Sequence, residues 1–165
     1  MTTLSGAPAS APPGRPQDAG ALLQRSKVSL DALFQDSPPG DIPSGDTTGT
    51  IVFAPGTVYG PPTSRALGAL FWRGKIFHPA TEDLHNKILP FGIPAVRAQT
   101  YVQDSWLDDR PCVVLDYSKT SFVAGWIRDE IREVAPGLYL GLVWGVGRLF
   151  GGRRLILRFA LKVES

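Results

Sequence analysis

The chain has 165 residues, of which 43% are apolar and 10% aromatic, enough to build a core and to exclude full disorder. A formal charge of +2 argues against wholesale binding of polyanions, and the lone Cys112 excludes an internal disulfide and a cysteine-based zinc site. Eighteen glycines and 15 prolines favour a fold with many turns over a helical bundle.

Composition changes near residue 48. Seven of the prolines precede it, and residues 1–48 carry three basic and five acidic side chains against 14 and 10 in the remainder. The reading is a Pro/Gly/Ala-rich extension over 1–48, its first part a disordered tail, followed by a folded domain over 49–165. Within the extension, Ser29 as N-cap with Leu30, Leu33 and Phe34 on one face predicts a short helix over 29–35 that docks on the domain. The first residues contain no apolar stretch of signal-peptide type, and no run reaches the roughly 18 apolar residues of a membrane span. A cytoplasmic, soluble protein is therefore expected.

From Gly49 onward short apolar stretches alternate with turn residues. Strands are predicted at 50–54, 74–78, 84–89, 95–103, 112–117, 138–146 and 154–163, with a short helix over 63–71. Residues 121–134 fit either helix or strand; the favoured division is a helix over 120–126 and a strand over 128–134, because Ala135-Pro136-Gly137 supplies a hairpin turn. The fold class is thus mainly β: about eight antiparallel strands closing into a lipocalin-like barrel, with one or two short helices. A two-sheet sandwich is the rival.

Alternation along the last strand places Leu155, Leu157, Phe159, Leu161 and Val163 on one face, expected to point inward. Its neighbour carries Leu138, Leu140, Leu142 and Trp144 on one face and Tyr139, Gly141, Val143 and Gly145 on the other, with the leucines expected inside. Asn86 and Thr100 share faces with apolar residues and so point inward too, giving a polar end to an apolar cavity. Asn86, Thr100, Trp144, Leu157 and Phe159 are the candidate ligand-binding residues. Asp116 and Asp129 are the candidate catalytic residues, as carboxylates at the cavity mouth able to accept a proton.

Other chemistries fare less well. His78 and His85 match none of the usual metal-ligand spacings, Cys112 opens an apolar strand, and neither a nucleophile elbow nor a phosphate loop is present, so no metal and no cofactor is expected. The cluster Arg148, Arg153, Arg154, Arg158 and Lys162 lacks the interleaved aromatics of a single-strand nucleic-acid groove. Trp144, Leu149 and Phe150 beside those arginines suit contact with an anionic membrane surface instead.

The order Trp72-Arg73-Gly74-Lys75-Ile76-Phe77, an Asn-bearing strand, Leu115-Asp116-Tyr117, then Pro136-Gly137-Leu138-Tyr139-Leu140-Gly141 resembles small uncharacterised bacterial proteins with a Gly-x-Trp-x-Gly-type motif, associated with lipocalin-like or fatty-acid-binding-like barrels. The resemblance spans residues 49–146 and implies a binding barrel for a hydrophobic molecule, without supplying catalytic residues. The function expected is binding of a fatty-acyl, polyketide or terpenoid-like molecule. The alternatives are a cyclase or isomerase enclosing such a substrate, and a membrane-surface or protein-interaction module with a filled barrel.

Overall fold

A computed structural model describes residues 14–52, 72–87, 96–120 and 124–164. Two helices, α1 (Ala19–Leu23) and α2 (Lys27–Gln35), precede eight strands: β1 (Gly45–Val52), β2 (Gly74–His78), β3 (Asp83–Lys87), β4 (Arg97–Asp104), β5 (Pro111–Asp116), β6 (Ile127–Ala135), β7 (Leu138–Gly147) and β8 (Gly152–Val163). Each strand pairs antiparallel with its neighbour in sequence, and β8 returns to β1 through six residue pairs from Thr47–Val163 to Val52–Arg158, so the sheet closes into a barrel. Closure removes both sheet edges and excludes the sandwich.

The segment 127–135 is strand, and residues 124–126 form a turn rather than the end of a helix. The helix expected over 63–71, residues 121–123 and the first part of the N-terminal tail lie outside the described residues. The helix expected over 29–35 begins two residues earlier: Ser26, not Ser29, is its N-cap, accepting from Ser29 N at 3.1 Å. Helix α1 was not anticipated; its five residues are capped by Asp18, which accepts from Ala21 N at 2.8 Å. No helix among the described residues is long and apolar enough to cross a membrane.

Both helices are too short to persist alone, and they hold by burial. Leu22, Leu23, Leu30 and Phe34 cover Val114, Leu138, Leu140, Leu142 and Trp144 on the outside of the barrel wall. Each large side chain taken fully out of water there contributes about 1.5–3 kcal/mol. Polar clamps fix the cover in place. Arg158 reaches Asp31 of α2 at 2.6–2.8 Å, and the fully buried Arg132 donates to Phe34 O at 2.9 Å and to both carboxylate oxygens of Asp108 at 2.7 Å. Its guanidinium also stacks 4.5 Å from the Phe34 ring centre.

This outer layer reverses one expectation. The leucine face of β7 points outward under the helices, and its other face, Tyr139, Gly141 and Val143, points into the barrel. On β8 the single alternating face is broken as well. Val143 pairs with Leu157 but Trp144 with Leu155, leaving Ile156 as a bulge, so Leu155 joins the outer layer while Leu157, Phe159 and Leu161 face inward. The barrel is plugged at one end by Phe77, Leu84, Val113, Ile131, Tyr139 and Leu161, and Tyr139 ties this end to the chain before β1 by donating to Asp41 O at 2.9 Å.

The inward glycine of β7 makes room for an aromatic ring. A Cβ added at Gly141 would fall 2.2 Å from the ring of Phe159, its cross-strand partner. Gly141→Ala is therefore expected to cost about 1–3 kcal/mol in urea denaturation. Much of that loss should return when Phe159→Leu is added. A single variant as stable as the parent would show that the ring can move aside.

Candidate functional site

The opposite end of the barrel holds a cavity of about 270 Å³. It lies at the end of the barrel where β1, β3, β5 and β7 finish and β2, β4, β6 and β8 begin. Ile51, Val96, Ala124, Ile127, Val143 and Leu157 form its apolar wall, together with the rings of Trp72 and Phe159, which meet edge to face at 5.4 Å. Trp72 can cross this end only because Gly49 has no side chain; a Cβ there would lie 2.5 Å from the indole.

Four polar residues interrupt this wall at one place: Lys75, Asn86, Tyr117 and Asp129. Lys75 and Asn86 face each other across β2 and β3, Asp129 projects inward from β6, and Tyr117 follows the end of β5. The backbone of Lys75 is held by Thr47, whose hydroxyl accepts from Lys75 N at 3.0 Å and donates to Lys75 O at 2.7 Å. The Lys75 side chain is 3% exposed, and its ammonium uses all three of its donors, to Asn86 Oδ1 at 2.7 Å, Tyr117 Oη at 2.5 Å and Asp129 Oδ2 at 3.0 Å. Tyr117 donates in turn to Asp129 Oδ2 at 3.1 Å. The rings of Trp72, Tyr117 and Phe159 lie 5.3–5.5 Å from the lysine nitrogen, where their faces attract a cation.

Burial shapes the proton affinities here. It lowers the pKa of Lys75, with the charge and hydrogen bond of Asp129 opposing. It raises the Tyr117 hydroxyl well above its ordinary value, and the neighbouring Asp129 carboxylate pushes the same way. The arrangement can therefore bind and orient a polar group at the foot of an apolar guest, and it keeps the phenol protonated as a donor.

Of the residues expected from the sequence, Asn86, Asp129, Leu157 and Phe159 meet in this cavity. The other three do not. Thr100 points inward but lies towards the plugged end, its amide bonded to Glu82 O in the β2–β3 turn. Trp144 belongs to the outer layer, edge-on to Trp106 at 6.0 Å, because the whole leucine face of β7 is turned outward. Asp116 stands on the outer face of β5, accepting from Tyr101 Oη at 3.0 Å and Ser118 N at 2.9 Å. Burial alone would raise its pKa, but the hydrogen bonds from Ser118 and Tyr101 outweigh it and hold the carboxyl below its usual range. Lys75, Tyr117 and Trp72 went unrecognised. The available signal was alternation: Lys75 shares a face with Phe77, and Tyr117 shares one with Val113 and Leu115, which forces Asp116 to the other side.

The histidines do come together. Ligand atoms of His78, Asp83 and His85 lie within 4.8 Å of one another on the outer wall, with the imidazoles edge to face at 5.1 Å. Asp83 is already engaged by Thr81 at 2.9 Å and Arg97 at 2.6 Å, which tie the β2–β3 hairpin to β4. Cys112 is buried, and burial, followed by the charge of Glu130, pushes its thiol up to about 12, far from a thiolate nucleophile.

No protein family and no curated protein matches the chain. Among solved structures, a protein from Thermomonospora curvata superposes with a TM-score of 0.54 over 86% of this chain and 90% of its own, at 16% identity. That likeness supports the fold. Fold and cavity together define a closed eight-stranded antiparallel barrel with an internal ion pair at the base of an apolar chamber.

Replacing Lys75 alone leaves Asp129 charged and unpaired in the interior. Lys75→Met should cost about 3–5 kcal/mol in denaturant unfolding, whereas Lys75→Met combined with Asp129→Leu should recover most of that loss. Equal stability of the two variants would show that the pair is not electrically coupled.

Proposed function

We propose that the barrel holds a hydrophobic small molecule, its body against Trp72, Phe159 and the aliphatic wall and its polar end at Lys75, Asn86, Tyr117 and Asp129. The observation that carries this reading is the cavity itself: among the described residues its lining is apolar except at one place, where its polar groups converge. A volume of about 270 Å³ sits at the small end of ligand chambers, which run roughly 300–1,000 Å³. This favours a short terpenoid or medium-chain skeleton over a long acyl chain. A cyclase or isomerase on the same scaffold is the alternative. Its proton acceptor would be Asp129, since Asp116 lies outside the chamber. Native mass spectrometry of the purified protein, with and without added medium-chain alcohols, should show a one-to-one adduct that Val143→Trp abolishes by filling the chamber. An adduct that persists in that variant would place the guest elsewhere.

A second reading concerns the β7–β8 hairpin, which borders the same end of the barrel. Leu149 is 83% exposed, with Val146 and Trp126 also at the surface, and Arg148, Arg153 and Arg154 are exposed with no ion-pair partner among the described residues. No acidic residue occurs from Leu138 to Val163. An apolar tip ringed by uncompensated arginines suits an anionic bilayer surface from which such a guest could be collected. Of the residues expected there, Leu149 fits; Trp144 is buried, and Phe150 packs inward over Gly145. Vesicles containing phosphatidylglycerol should float the protein at low salt, less so at high salt, and not after Leu149→Glu with Arg148→Glu. Equal flotation of the charge-reversed variant would count against the hairpin as the contact.

A further inference from the structure

We propose that the guest is a neutral molecule that donates a hydrogen bond, through a hydroxyl or an N–H, to Asp129, and that free carboxylic acids and simple carbonyl compounds are discriminated against. This rests on the cavity being a ligand site, as argued above, and it follows from counting the hydrogen-bonding capacity of the polar cluster.

Every donor in the cluster is already committed. Lys75 spends its three on Asn86, Tyr117 and Asp129. Tyr117 spends its single proton on Asp129 Oδ2. The amide nitrogen of Asn86 donates to Val96 O at 3.3 Å and to Tyr117 Oη at 3.1 Å. The Trp72 indole donates to Asn86 Oδ1 at 3.3 Å. One capacity is left over, and it is an acceptor. Asp129 Oδ1 is buried, on a side chain only 6% exposed, and receives no hydrogen bond. An acceptor left so inside a protein is costly, and more so on a charged group. Asp129 lines the chamber, and a modest turn of its carboxylate, with Oδ2 still between Lys75 and Tyr117, would present Oδ1 to a donor there.

Charge points the same way. The lysine cation and the aspartate anion cancel within the cluster. A carboxylate guest would add a second negative charge to a desolvated site that has no free donor to receive it. An aldehyde, ketone or ester brings only acceptors and would meet no unused N–H or O–H in this cluster. An alcohol, a phenol or an amide supplies the one bond that is missing.

Three terpenoids sharing one skeleton separate these cases: geraniol, geranate and geranial, titrated into the full-length protein by calorimetry at pH 7. Geraniol is expected to bind at least about tenfold more tightly than either of the others, the difference made by one satisfied hydrogen bond to a charged group. In Asp129→Asn the lysine charge is uncompensated and the new amide offers a donor, so geranate should become the preferred probe. The parent protein decides the matter even if that variant does not fold. Geranate or geranial binding the parent as tightly as geraniol would overturn the proposal while leaving the cavity a ligand site. Absence of binding by all three would overturn both.

Discussion

A lysine side chain inside a closed barrel is tolerable only with a counter-charge at hydrogen-bonding distance, and the Lys75–Asp129 pair is the constraint around which the open end of this molecule is arranged. The pair joins β2 to β6 across the interior, between strands that are not sheet neighbours. Asn86 and Tyr117 complete the shell of the ammonium, and Thr47 fixes the backbone from which it springs. Three aromatic faces then close over the charge. The polar spot is consequently small and internally neutral, and the rest of the chamber can be apolar with only Asp129 Oδ1 of this cluster left without a partner.

Strands β5 and β7 are apolar on both faces, and that demands a cover. The inner face fills the barrel, and the outer face is buried by α1, α2 and the turn before β5. Arginines stitch this cover down. Arg132 binds α2 and Asp108 at once, Arg158 binds Asp31, and Arg128 lies 4.3 Å above the Trp106 ring while pairing with Glu130. Such buried pairs contribute little net stability compared with packed apolar groups, but breaking one leaves a charge without water or partner. They therefore fix where the N-terminal helices sit. In this way the N-terminal extension supplies Leu22, Leu23, Leu30 and Phe34 to a second core.

Much of the architecture was legible in the residues. Short runs of β-branched and apolar residues between Pro and Gly turns specified strands, and the Ala135-Pro136-Gly137 turn told the strand at 127–135 from a helix. For the candidate site, alternation brought Asn86, Leu157 and Phe159 to the inside, while over 128–134 it left the inward face open and Asp129 was singled out for its carboxylate alone. It misled for Trp144, because period two says which residues share a face and is silent on which face is inside. Where both faces are apolar, as on β7, that choice depends on what lies outside, and the answer was held by helices far away in sequence. Leu155 was misplaced for a different reason: a bulge at Ile156 shifts the alternation by one residue without leaving any mark in composition.

What the chain determines by itself is local: strand and turn positions, the helix at α2, and pairs of residues on a common face. These follow from backbone sterics and from the period of the side chains, which operate over a few neighbours. Lys75, Asn86, Tyr117 and Asp129 are spread over 55 residues of sequence and carry no shared motif. Only closure of the barrel, with its fixed register between β2, β3, β5 and β6, brings them to one point, because hydrogen-bond distances between remote residues are set by the sheet and not by the spacing along the chain.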